Sequence, residues 1–241
     1  MPRKTRMYLP GIPVHVVQRG HNRDACFFAD EDYHYYQFLL GEGLKRYGVE
    51  LHAYCLMTNH VHLLLTPETS VSISRLMQHV SSVYVRYVNR TYRRSGTLWE
   101  GRHRGSLIDA ENYLLSCYRY IELNPVTADR VTHPEEYRWS SFRVNALGEH
   151  NPLVSPHPIY SGLSDDPVVR RKAYRELFRF SLPLEERRAI AECLSAGQVL
   201  GKNRFKEQVE SALGRKLGQV RVGRPRKERC HDQPETESES L

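Results

Sequence analysis

Apolar residues follow two spacings along this chain, alternate positions in some stretches and every third or fourth in others. Val14-His15-Val16-Val17-Gln18-Arg19 is β-branched and bounded by Gly11-Ile12-Pro13 and Gly20, which predicts a strand. From Asp30, placed to cap a helix, Tyr33, Tyr36, Leu40, Leu44 and Tyr47 keep helical spacing up to Gly48. Leu51 to Met57 and His60 to Leu65 are strand-like runs that Thr58-Asn59 joins as a hairpin. Ile73, Leu76, Met77, Val80, Tyr84, Tyr87 and Val88 form one stripe of a helix over Ser72 to Tyr92. Gly96 to Ile108 reads as a further, arginine-bearing strand. Asp109 then caps a third helix, Ala110 to Leu123, which Pro125 stops.

That order predicts one antiparallel sheet with helices on one face, an α+β sandwich spanning residues 1–150. Residues 151–214 divide into a proline-rich arm, Asn151 to Pro167, and a helical extension of two or three short helices between about Val168 and Leu213. Residues 215–241 read as a disordered tail, basic from Arg215 to Lys227 and acidic from Glu228 to Leu241.

Charge adds a partner class. The formal balance is +7, but setting aside the acidic end, Glu228 to Leu241, leaves 34 basic against 23 acidic residues, or +11. A body this basic suits a polyanion, and nucleic acid before membrane, because no long basic amphipathic helix dominates. No apolar stretch reaches the ~18–20 residues of a membrane span, and the N-terminal residues lack the apolar region of a signal peptide. The five cysteines are scattered and odd in number, with no C-x-x-C pair. They argue against a disulfide framework or zinc knuckle and suit a reducing, cytoplasmic setting.

Candidate chemistry begins at His60-Val61-His62. Side chains alternate across a strand, so both imidazoles leave from one face and can share a metal ion, although two histidines on a polar sheet face match the same pattern. Tyr120 and Asn124, four apart, share one face of the third helix, where a phenol and an amide could meet the histidine pair. Tyr113, Cys117 and Tyr120 also keep core spacing, so spacing alone leaves both readings open.

Leu56-Met57-Thr58-Asn59-His60-Val61-His62-Leu63-Leu64 together with Tyr120-Ile121-Glu122-Leu123-Asn124-Pro125-Val126 resembles the single-tyrosine HUH transposases, and within them the REP-associated tyrosine transposases. Leu9-Pro10-Gly11, Gln18 to Arg23, Leu98 to Arg102 and His133 to Ser141 extend the resemblance over nearly all of residues 1–150. It implies a ferredoxin-like or RRM-like HUH fold and cleavage and rejoining of single-stranded DNA beside a hairpin of REP type, through a 5′-phosphotyrosine. By position it makes Tyr120 the nucleophile, His60 and His62 the paired metal ligands, Asn124 a third ligand, and Mg²⁺ or Mn²⁺ the ion. It leaves monomer and homodimer both open. Tyr118 does not match the nucleophile position.

Single strands are held by backbone charge and by stacking on aromatic faces. Arg19, His21 and Arg23 after the first strand, Arg102 and Arg104, and Trp99 are candidates for those contacts. Arg224, Arg226 and Lys227, around Gly223-Arg224-Pro225, resemble either an AT-hook core for a narrow minor groove or a general phosphate-binding tail. A rival from another class is a DNA-binding regulator that has the fold without the reaction.

Overall fold

Strands β1 (Val14–Arg19), β2 (Val49–Met57), β3 (His60–Pro67) and β4 (Arg104–Leu107) form one sheet, ordered β2-β3-β1-β4 and antiparallel throughout. The computed structural model describes residues 6, 8–214 and 216–217. The sequence-based strand over Gly96 to Ile108 shrinks to its last third. Residues 98–100 still touch the end of β1, through His21 N–H to the Leu98 carbonyl and Glu100 N–H to the Arg19 carbonyl, both 2.9 Å. Bends at residues 100–102 separate this contact from β4.

Helices cover both faces, where the sequence suggested one. On the first face lie α1 (Asp30–Tyr47) and α2 (Ser72–Thr91), whose apolar stripes pack on Val14, Val16, Tyr54, Leu56, Val61, Leu63 and Leu65. On the other lies α3 (Ala110–Glu122), burying Leu114, Cys117, Tyr118 and Ile121 against Ala53, Cys55, Met57 and Leu64. The reason is visible in β2, which is buried at eight of its nine positions and so needs cover on both sides. A bulge between Leu51 and Ala53 shifts the alternation there, so residues 51 and 53 face opposite layers.

Helix ends differ in detail from expectation. Ala29, not Asp30, precedes the first turn of α1, and no side chain of that residue caps it. The work falls to buried Asp32, whose carboxylate accepts from the Phe28 and Ala29 N–H groups at 2.7 and 3.0 Å and from the Tyr87 and Tyr92 hydroxyls. Gly48 closes α1 in the left-handed conformation, φ 59°. The stop at Pro125 is as expected, although Asn124–Thr127 adds one short turn, α4.

Chain beyond the sheet seals both of its edges. Along β2, Leu56 N–H bonds the Trp139 carbonyl at 2.9 Å and Ser155 N–H bonds the Leu51 carbonyl at 2.7 Å. Four helices follow, α5 (Pro158–Ser161), α6 (Pro167–Glu176), α7 (Leu184–Ala196) and α8 (Asn203–Leu213). Between α7 and α8, Leu200 bonds Leu107 and Asp109 beside β4, each at 2.8 Å. These bonds shorten the ladder that either edge offers to other chains. Among the described residues no helix is long and apolar enough to cross a membrane.

Candidate active site

The register places the chemistry. Across the β1–β3 pair Arg19 lies opposite His60 and Val17 opposite His62, so these side chains share the sheet face that α3 covers. Because Leu114, Cys117 and Ile121 anchor α3 on that face, Tyr120 and Asn124 project over the histidine end of the strands. His60, His62, Tyr120 and Asn124 line one cavity of about 460 Å³, with Arg19, Arg102 and Arg104 at its rim. Ring centroids lie 4.9 Å apart for His60 and His62 and 5.9 Å apart for His62 and Tyr120. A larger cavity, about 680 Å³, lies between α1, β2 and residues 152–155, but gathers no histidine or other metal-binding pair beyond surface carboxylates.

Protons in this cluster are constrained. The Asn59 amide donates from Nδ2 to the Arg23 carbonyl at 3.0 Å, which turns its Oδ1 to His60 Nδ1 at 2.7 Å. Burial holds His60 down to about 4, the Arg19 charge adding to the effect and the Asn124 side chain opposing it. Burial also holds His62 well below the ordinary histidine value, helped by His15, His60 and Arg19. Both imidazoles are therefore neutral near pH 7, and each keeps a lone pair for a cation. Asn124 donates from Nδ2 to the Tyr120 carbonyl at 2.8 Å, which turns its Oδ1 toward His60 and the cavity. Burial raises the Tyr120 phenol above its usual range, while the charges of Arg187 and Arg19 pull it back.

Two imidazole nitrogens and one amide oxygen form a donor set that fits a divalent ion accepting both nitrogen and oxygen, which favours Mn²⁺ over the oxygen-preferring Mg²⁺. Among the described residues no three His, Cys, Asp or Glu side chains converge on a point, so such an ion would draw its remaining ligands from water and phosphate.

The other predicted contacts divide. Arg19, Arg102 and Arg104 are exposed at the rim. His21 and Arg23 are exposed in the short turn after β1, outside the cavity lining. Trp99 is only 5 % exposed and packs against Tyr36 and Tyr84 in the core, so its ring is not a stacking platform for bases. Arg224, Arg226 and Lys227 lie outside the described residues.

Sequence reading missed two parts of the site. His15 is fully buried on the same face, its Nε2 2.9 Å from His62 Nδ1 and its ring centroid 5.6 Å from Tyr120. The signal was present: Val14 and Val16 face the α1–α2 core, so period two sends His15 to the histidine side. Ala191, Leu194 and Ser195 of α7 form a wall of the cavity, which local periodicity cannot foresee because α7 arrives from about seventy residues downstream of α3.

A four-stranded antiparallel sheet with helices packed on both faces makes this an α+β protein. Residues 9–124 match the family model described as "Transposase IS200 like". Among solved structures, a REP-associated tyrosine transposase bound to a REP hairpin is similar in fold, with a TM-score of 0.54 and 17 % identity over 66 % of this chain and 93 % of that one. A candidate transposase from Deinococcus radiodurans matches at a TM-score of 0.35 and 20 % identity, over 48 % of this chain and 95 % of that one. No curated protein matches the chain.

Proposed function

We propose that the protein is a metal-dependent strand transferase that cuts and rejoins single-stranded DNA beside a hairpin of REP type, with Tyr120 as nucleophile. One observation carries the reading: Tyr120 stands over the His60–His62 pair in a single cavity rimmed by arginines. The match to a transposase family model supports action on DNA, and the fold likeness to a protein bound to a REP hairpin supports a hairpin substrate.

In this reading Arg19, Arg102 and Arg104 hold the backbone phosphates, and Tyr120 Oη attacks the scissile phosphorus in line. The Oη–P bond forms as the P–O3′ bond breaks, and the departing 3′ oxygen takes a proton. His60, His62 and Asn124 would hold the divalent ion, Mg²⁺ or Mn²⁺, whose charge neutralises a non-bridging phosphate oxygen. The 5′-phosphotyrosine conserves the phosphodiester bond energy, so a second 3′-hydroxyl can reverse the step on a new strand without ATP. Arg19 and Arg187 favour the phenolate that burial disfavours.

Incubation with a hairpin-bearing oligonucleotide and Mn²⁺, followed by a denaturing gel, tests this directly. The wild-type chain should form a protein–DNA adduct and His60→Ala should not. An adduct of equal yield in His60→Ala would remove the metal site from the mechanism, and no adduct in the wild type would favour the non-catalytic regulator.

A further inference from the structure

The turn between β2 and β3 is tied to the loop after β1 by a chain of contacts ending on a metal-ligand candidate. Asn22 and Arg23 both adopt positive φ, 52° and 63°, a conformation that costs non-glycine residues energy and persists only when surroundings impose it. Gly20 N–H bonds the Asn59 carbonyl at 2.8 Å, and Arg23 N–H bonds the Gly20 carbonyl at 3.1 Å. The product of this geometry is the Arg23 carbonyl, aimed at Asn59 Nδ2 at 3.0 Å. A carbonyl oxygen only accepts, so the amide can present only its own oxygen to His60. At 2.7 Å, that oxygen requires a proton on His60 Nδ1, and a neutral imidazole has no second one for Nε2.

We propose that Asn59, held by the Arg23 carbonyl, is a positioning residue that fixes His60 in the Nδ1–H tautomer and keeps its Nε2 lone pair facing the cavity. His62 lacks such a lock. Its Nδ1 meets His15 Nε2, and either ring can be the donor according to the tautomers the pair adopts. The two ligand candidates therefore differ, one with a preset proton and one whose tautomer its neighbour leaves open. An outer partner of this kind orients a ligand ring and raises its basicity, and its loss typically costs 10- to 100-fold in metal affinity (about that order). The proposal rests on the metal reading above only for its affinity arm, because the tautomer is a property of the chain without metal.

The test uses the full chain, ¹⁵N-labelled on histidine, first without metal and then titrated with Mn²⁺. Long-range nitrogen–proton correlation spectra should show His60 in the Nδ1–H form in the wild type. In Asn59→Ala the ring should move toward the Nε2–H form, which water favours, with Mn²⁺ affinity falling by roughly 10- to 100-fold. Asn59→Asp keeps an acceptor oxygen for His60 Nδ1 while losing the donor to the Arg23 carbonyl, so it should retain the Nδ1–H tautomer that Asn59→Ala loses, which a merely structural role for the turn would not do. An Nε2–H tautomer in the metal-free wild type overturns the proposal, as does an Asn59→Ala protein with unchanged tautomer and affinity. Mn²⁺ binding that survives in His60→Ala would instead sink the metal site and leave the tautomer result to decide the role of Asn59.

Discussion

Helix α3 carries two tyrosines two residues apart, and they live in different chemical worlds. Two residues turn a side chain about 200° round a helix, so Tyr118 and Glu122 face inward while Tyr120 and Asn124 face the cavity. The inward pair is fully buried. Glu122 accepts from the Ser141 hydroxyl at 2.6 Å, the Asn145 amide at 2.8 Å and the Tyr174 hydroxyl at 2.6 Å. The outward pair borders solvent, the histidines and Arg19. A phenol is thus made structural or available for reaction by the face it occupies, and the inward face fixes where the outward face points.

The largest expected effect falls on the outward face. Tyr120→Phe should abolish the protein–DNA adduct while changing stability by no more than about 0.5 kcal/mol, because only a half-buried hydroxyl at a cavity wall is lost. Adduct yield and a urea unfolding curve measure the two together. An adduct persisting in this variant would hand the nucleophile role to another residue and break the contrast at its centre.

Next comes the inward anchor. Glu122→Ala would leave the Tyr174 hydroxyl without an acceptor and the Ser141 hydroxyl and Asn145 amide with only their 3.3 Å bonds to the Tyr54 and His52 carbonyls, besides opening a cavity, a loss of roughly 2–4 kcal/mol. The fraction that stays folded should still form adduct, since nothing in the cavity has changed. A variant as stable as the wild type would mean that the Tyr174 hydroxyl finds another acceptor.

Proton linkage gives a third, smaller test. Burial raises the Glu122 carboxyl from 4.5 to about 7, against the hydrogen bonds from Ser141, Tyr174 and Asn145. A group that binds its proton more tightly when folded contributes stability below its unfolded pKa and loses it as pH rises, here between about 4.5 and 7. The span is on the order of 3 kcal/mol at most. The buried histidines act oppositely: His60, held down to about 4, and His15, held to about 3, contribute fully above about 6.5 and lose that contribution as pH falls. The two effects oppose each other in the wild type, and comparison with Glu122→Gln isolates the carboxyl. The wild type's deficit relative to Glu122→Gln should widen as pH rises from 4.5 to 7 and then level off, as read from urea unfolding at pH 5, 6, 7 and 8. A difference independent of pH would show that Glu122 does not titrate in that window.

The outward face was the more legible of the two from sequence. Alternation on β3 places His60 and His62 together, and the four-residue step places Tyr120 beside Asn124, because both arguments use only local periodicity. What brought strand and helix pairs to one cavity was the burial of Cys117 and Ile121 on Cys55 and Leu64, contacts between segments about sixty residues apart. The resemblance to a family supplied that link where spacing could not. The Glu122 network was illegible for the same reason, since its donors lie on two later segments. Trp99 misled because arginine and tryptophan in one run look like a nucleic-acid surface, and only packing against Tyr36 and Tyr84 shows that the ring is core. The cover on both faces was readable in β2, whose Leu51 to Met57 run lacks the polar alternation of a half-exposed strand.

Tyr118→Phe should have the smallest effect and is the sharpest control on the comparison. Its ring packs beside Tyr160 and Tyr174, with centroids 6.1 and 6.0 Å away, and phenylalanine fills the same volume. Its hydroxyl is buried without a partner in hydrogen-bond geometry, the His157 backbone facing it without completing a bond. Burying an unpaired hydroxyl costs roughly 1–3 kcal/mol, so removing it should leave stability unchanged or raise it by about 1 kcal/mol. Chemistry should be untouched, because the ring points away from the histidines and no charge near Tyr120 is altered. The measurement pairs an unfolding curve with adduct yield at saturating DNA. Destabilisation by more than about 1 kcal/mol would mean that a buried water completes the contact to His157. Lost adduct in a fully folded Tyr118→Phe protein would mean that the two faces of α3 are coupled, and that the inward tyrosine helps to set the position of the outward one.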